Sequence, residues 1–106
     1  MFFQFSVPNA GRHAPVKEAN IEMEQIGIYN HKPIYKGIFN GREVFFAYVI
    51  QYDHGQWQLL FGDPRENYTT KKILHIINSE NVNIESKEYR AYVEFGGEVV
   101  VIIKHS

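Results

Sequence analysis

Five histidines, two aspartates, ten glutamates and four serines are the side chains of this 106-residue chain suited to acid–base, nucleophilic or metal chemistry, and no cysteine joins them. The missing thiol excludes a disulfide framework, an iron–sulfur centre, a cysteine nucleophile and every thiolate zinc site. The histidines His13, His31, His54, His75 and His105 show no ligand spacing such as the i, i+4 pair of a helical zinc site. His13, His31 and His54 fall in predicted loops, and His75 falls on the polar flank of a predicted helix. Ser6, Ser79, Ser86 and Ser106 lack the Gly-x-Ser-x-Gly surroundings of a nucleophile elbow. The eight glycines are scattered, and Gly96-Gly97 joins two strands, so no phosphate-cradling loop is present.

Two carboxyls that share a proton must lie within a few Å of each other. Asp53 and Asp63 flank one predicted strand, which sets them about 20 Å apart. Asp63-Pro64 reads as a turn, with the carboxylate accepting backbone N–H bonds and Pro64 presetting φ. A hydrolase-like site from the loop residues His31, Asp53 and His54 requires all three to converge on one pocket. No catalytic residue, cofactor or metal ligand is assigned from these patterns.

What remains is surface chemistry, and the chain is rich in aromatics: eight Phe, seven Tyr and one Trp. Tyr and Arg are frequent interface anchors because their rigid or forked groups bind at low entropic cost. Tyr29, Tyr35, Arg42, Arg90 and Tyr92 are the candidate partner-binding residues. They point to a small non-enzymatic interaction domain of accessory, inhibitor or immunity type that docks another protein on an aromatic/Arg face of its sheet. A ligand- or carbohydrate-binding barrel is the alternative, with Trp57 and several Tyr as stacking platforms. Lys32, Lys36, Arg42, Lys71 and Lys72 lie near aromatics, but Glu22, Glu24, Glu43 and Glu66 dilute their field and no RNP signature occurs. Nucleic acid is therefore disfavoured as a partner.

The elements that must carry these residues follow from turn chemistry and periodicity. Asn40-Gly41 between two β-rich runs is a hairpin signal. His54-Gly55 and Gly96-Gly97 mark two further turns, which gives a meander and a C-terminal hairpin. Residues 44–50 and 99–103 are apolar at every position, as in strands covered on both faces. Residues 89–95 alternate, with Tyr89, Ala91, Val93 and Phe95 inward and Arg90, Tyr92 and Glu94 outward. Residues 56–61 alternate likewise, with Trp57, Leu59 and Phe61 on one side. Residues 21–28 and 82–84 read as strands. Ile73, Ile76 and Ile77 recur at helical spacing with Leu74 beside them, so residues 68–78 read as a helix capped by Thr69 or Thr70 and ended by Asn78 or Asn81. The expected fold is α+β: one antiparallel sheet, partly curled toward a barrel, with one packed α-helix.

Length and charge agree with a single compact domain spanning residues 1–106. The mass scaling leaves about 6,100 Å² of surface against about 18,000 Å² for the open chain, enough burial for one core. Lys+Arg 11 against Asp+Glu 12 gives a net charge of -1 and no bulk attraction to polyanions. Residues 8–15, with Pro8, Asn9, Gly11 and Pro15, read as a loop after a first strand. The apolar start is too short for a secretory h-region and no run approaches the roughly 20 residues of a membrane span, so a cytoplasmic protein is expected. The first and last strands are expected as open sheet edges, and a homodimer through such edges would bury them.

Overall fold

The computed structural model describes residues 1–7, 17–66 and 70–105, with the backbone alone for Ser6, Val7, Lys17 and Glu18. The loop predicted at 8–15 with His13, the residues Tyr68 and Thr69, and Ser106 lie outside the described residues. Nine strands follow in order among the described residues: β1 (Phe2–Val7), β2 (Lys17–Glu22), β3 (Glu24–Tyr29), β4 (Lys32–Phe39), β5 (Arg42–Gln51), β6 (His54–Phe61), β7 (Lys71–Ile76), β8 (Lys87–Val93) and β9 (Gly97–Lys104). They form one antiparallel sheet in the order β2-β1-β9-β8-β7-β6-β5-β4-β3.

Only Met23 separates β2 from β3, so a single bent run serves both ends of the sheet. Its first half pairs with β1 and its second half with β4. The sheet therefore curls into a nearly closed up-and-down barrel, which leaves little of its edge open. Met1 and Met23 extend the β1–β2 ladder by exchanging backbone hydrogen bonds of 2.7 Å in both directions. The first and last strands, expected as open edges, instead pair with each other, Phe2 opposite Lys104.

The α+β expectation is overturned: among the described residues there is no helix, and the segment read as one is β7. A register shift opposite Leu59 and Leu60 explains the misreading. It leaves Ile73 unpaired between Lys72 and Leu74, so two apolar residues run together and the period-2 signal breaks. Ile73, Ile76 and Ile77 then mimic a helical stripe. Their β-branched side chains suit a pleated strand better. Residues 82–84, expected as a strand, carry no ladder.

Two-residue turns set the registers of the first hairpins. Asn30-His31 (φ 51 and 67), Asn40-Gly41 (φ 51 and 76) and Tyr52-Asp53 (φ 50 and 63) all place both central residues in the left-handed region. This is the backbone of type I′ turns, whose twist matches that of paired strands. Asn40-Gly41 lies where the sequence placed it. The turn assigned to His54-Gly55 lies two residues earlier, and Gly55 instead makes room for a ring: a Cβ there would fall on the Tyr48 hydroxyl.

The barrel interior is filled. Phe3, Phe5, Ile21, Tyr35, Phe46, Tyr48, Trp57, Leu59, Leu74, Ile76, Val101 and Ile103 belong to one buried cluster. Trp57 stacks on Phe46 with centroids 5.0 Å apart, and Phe46 meets Phe3 at 4.9 Å. Residues 44–48 are buried on both faces, because Phe45 and Ala47 join Ile34 and Leu60 in further burial outside this cluster, but the double coverage expected over 44–50 stops short of Ile50, which is 50% exposed. β9 departs from its expected double coverage: Val99, Val101 and Ile103 are buried, while Val100 is 51% exposed.

Residues 78–86 close one end of the barrel as a strap without regular structure. The Ser79 hydroxyl accepts the Trp57 backbone N–H (2.9 Å) and donates to the Ile76 carbonyl (2.7 Å). The Trp57 indole donates to the Val82 carbonyl at 2.7 Å, and the Asn81 N–H donates to the Tyr48 hydroxyl at 2.9 Å. Farther along, the Glu85 N–H donates to the Tyr89 hydroxyl and the His105 N–H to the Ser86 hydroxyl. These bonds satisfy backbone groups that no ladder reaches. The strap also lays Val82 and Ile84 against the core.

Candidate functional site

The five sequence-selected anchors do not come together. Tyr35 is 8% exposed and belongs to the interior cluster; burial pushes its phenol up from the ordinary value. Its ring lies 6.4 Å from that of Phe46 and 6.3 Å from that of His105. Tyr29 is half-buried at the end of β3, one residue before the Asn30-His31 turn. Arg42 is exposed at the start of β5, with its guanidinium 3.9 Å from the centroid of Phe61. Only Arg90 and Tyr92 share a surface, on the outward face of β8 between inward Tyr89, Ala91 and Val93.

The register identifies their neighbours. Tyr92 lies opposite His75 on β7 and Glu98 on β9, and Arg90 lies opposite Val100. The His75 and Tyr92 rings stack at 6.0 Å and 30°. Arg90 pairs with Glu98 at 2.5 Å, both side chains being well exposed, so the pair orients the guanidinium and contributes about 0–1 kcal/mol. Tyr92 (47% exposed) and Val100 (51%) supply the apolar part of this face. His75 and Val100 were missed from the sequence. Treating β9 as an alternating strand, like β8, would have brought Val100 out.

His75 carries the one buried side-chain polar atom among the described residues that lacks a hydrogen-bond partner, its Nδ1. Burial holds the imidazole below its usual pKa, Lys72 pushes the same way and Glu94 opposes them. Burial and Lys72 thus favour the uncharged form of the ring that stacks on Tyr92.

Elsewhere the chemistry is sparse. Asp63 accepts the Arg65 backbone N–H at 2.9 Å and pairs with its guanidinium at 2.7 Å, which holds the carboxyl below the usual range. That is the turn expected of Asp63-Pro64, though no helix follows it among the described residues. Asp53 and Asp63 stand at opposite ends of β6. His31 and Asp53 are exposed on two separate turns, and His54 is exposed at the start of β6. No group of three or more His, Asp or Glu among the described residues is arranged to hold a metal ion. No helix among the described residues is long and apolar enough to cross a membrane. A groove of about 850 Å³ crosses the bend at Met23, lined by Phe2, Glu22, Glu24, Lys36, Ile38 and Lys104 among others. No family model, no curated protein and no solved structure matches the chain.

Proposed function

We propose that this chain is a small protein-interaction domain that docks a partner on the outer face of β7, β8 and β9, with Tyr92 as anchor and Arg90 beside it. The observation that carries the reading is the half-exposed Tyr92 ring, stacked on His75 with centroids 6.0 Å apart and flanked by exposed Val100. A ring already fixed by stacking loses little rotamer freedom when a partner covers it, which favours tight docking. Arg90, oriented by Glu98, supplies polar contacts at the edge of the patch.

The filled interior favours this reading over a ligand-carrying barrel. Trp57 is 1% exposed and stacked on Phe46, so neither face is available to a sugar ring. The strap shuts the end of the barrel nearest Trp57.

The test is capture of partners from the native host by the wild-type chain and by Arg90→Ala/Tyr92→Ala. The double variant should fold normally, because both residues point outward, and should lose the partner by tenfold or more. A partner retained at wild-type affinity removes this face from the reading.

A further inference from the structure

The opposite end of the barrel from the strap carries a second pattern, formed by the rim of five neighbouring strands. Phe39 ends β4 opposite Arg42, which begins β5. The Arg42 guanidinium lies 3.9 Å from the centroid of Phe61, at the end of β6. Phe61 in turn lies opposite Lys71, which begins β7. Just past the end of β8, Phe95 follows Glu94, whose carboxylate pairs with Lys72 at 3.0 Å. Around the rim the order is therefore Phe39, Arg42, Phe61, Lys71, Phe95, aromatic and cation in alternation.

Three features mark this arc as a surface shaped for contact. Among the described residues, no carboxylate pairs with Arg42 or Lys71, as with Lys32, Lys87 and Lys104 elsewhere, whereas Lys36, Arg65, Lys72 and Arg90 are each paired. Arg42 lies over Phe61, so the edge N–H groups of its fork remain free for a bidentate acceptor. Phe95 is 97% exposed at φ 61, a backbone region that a bulky side chain rarely adopts.

We infer that this rim binds an acidic segment of a partner protein, with carboxylates on Arg42 and Lys71 and an apolar side chain against Phe95. The surface is separate from the outer face of β8, so it stands or falls independently of Tyr92. Single-stranded nucleic acid fits less well. Base stacking needs open ring faces, but Phe61 is already overlain by Arg42 and Phe39 is half-buried, which leaves Phe95 alone. The neutralised Lys72 also removes a phosphate contact that such a ligand would use.

The experiment is a titration of the ¹⁵N-labelled full chain with a synthetic peptide of repeated Glu-Glu-Leu, followed by amide shifts and by anisotropy of the labelled peptide. Shifts are expected at Arg42, Phe61, Lys71 and Phe95, with binding that weakens as salt rises. Arg42→Ala and Lys71→Gln should each weaken binding at least fivefold. Arg42→Lys should recover only part of it, since an ammonium keeps the charge and loses the fork. Arg90→Ala/Tyr92→Ala should bind the peptide as wild type does. Millimolar peptide that leaves these four amides unmoved overturns the proposal. So does Arg42→Ala binding at wild-type strength with an intact spectrum. Tighter binding of oligo-dT, or of phosphatidylserine vesicles, at the same rim overturns it as well.

Discussion

Replacing Ser79 by alanine tests whether the strap is bonded into the barrel or merely rests on it. The hydroxyl accepts the buried Trp57 N–H at 2.9 Å, and Ser79 itself is 2% exposed. Alanine removes one bond accepted from Trp57 and one donated to Ile76, and it strands a backbone donor away from water. A stranded buried group costs about 1–3 kcal/mol and a lost neutral hydrogen bond about 1 kcal/mol. Because these overlap, the sum is about 2–3 kcal/mol. For a domain of this length that lowers Tm by roughly 10–20 °C. Ser86→Ala is the control: its hydroxyl also accepts a backbone N–H, from His105 at 2.7 Å, but in an exposed position where water takes over. It should cost about 0.5 kcal/mol or less. Urea unfolding followed by Trp57 emission reads both variants, since the indole is buried against Phe46. Amide exchange at Trp57 should accelerate in Ser79→Ala alone. If the two serine variants lose equal stability, burial is not what makes the Ser79 bonds matter and the reasoning fails.

Gly55→Ala should destabilise by about 1–3 kcal/mol, because the new methyl displaces the Tyr48 phenol from Asn81. In a Tyr48→Leu background the same change should cost much less, which a double-mutant cycle by urea unfolding measures. Gly37→Ala should be as damaging, since its Cβ would lie 2.6 Å from Ile21 Cγ2 and 2.8 Å from the Glu22 carbonyl oxygen; thermal melts report it. Acid should weaken the fold through His75. Its folded pKa lies below the unfolded 6.5, so the unfolded chain binds the proton first. Stability is then complete above pH 6.5 and falls as pH drops from there through the folded pKa. His75→Phe keeps a ring under Tyr92 and should flatten that slope between pH 5 and 7 in urea titrations; an unchanged slope assigns the acid sensitivity elsewhere.

Much of the meander was legible because its signals are local. Asn40-Gly41 has two residues that tolerate positive φ, and the alternation of Tyr89 to Val93 separates the Arg90–Tyr92 face from the core. The other turns are encoded less plainly. Tyr52 adopts φ 50 at a tip where Asn or Gly is usual, so the sequence pointed to His54-Gly55, two residues past the Tyr52-Asp53 turn. The helix reading arose where Ile73 is inserted opposite Leu59 and Leu60, a tertiary irregularity that a single-strand pattern does not display. Tyr35 was drawn outward because Ile34 and Tyr35 are both buried, on opposite faces of a strand that the interior and a second apolar layer cover together. The rim formed by Arg42, Phe61 and Lys71 comes from three strand ends and has no contiguous signature at all.

The pairing of Phe2 with Lys104 brings the two ends of the described chain side by side. Around the barrel, every other laddered pair joins strands that follow one another in sequence. A short linker from the last residue to the first would turn this remaining pair into one more hairpin. The polypeptide would then be a ring of neighbours, and opening it at Asn40-Gly41 should give a circular permutant with the same barrel. In such a chain the origin is arbitrary, and the long-range closure between β1 and β9 is exchanged for one between β4 and β5.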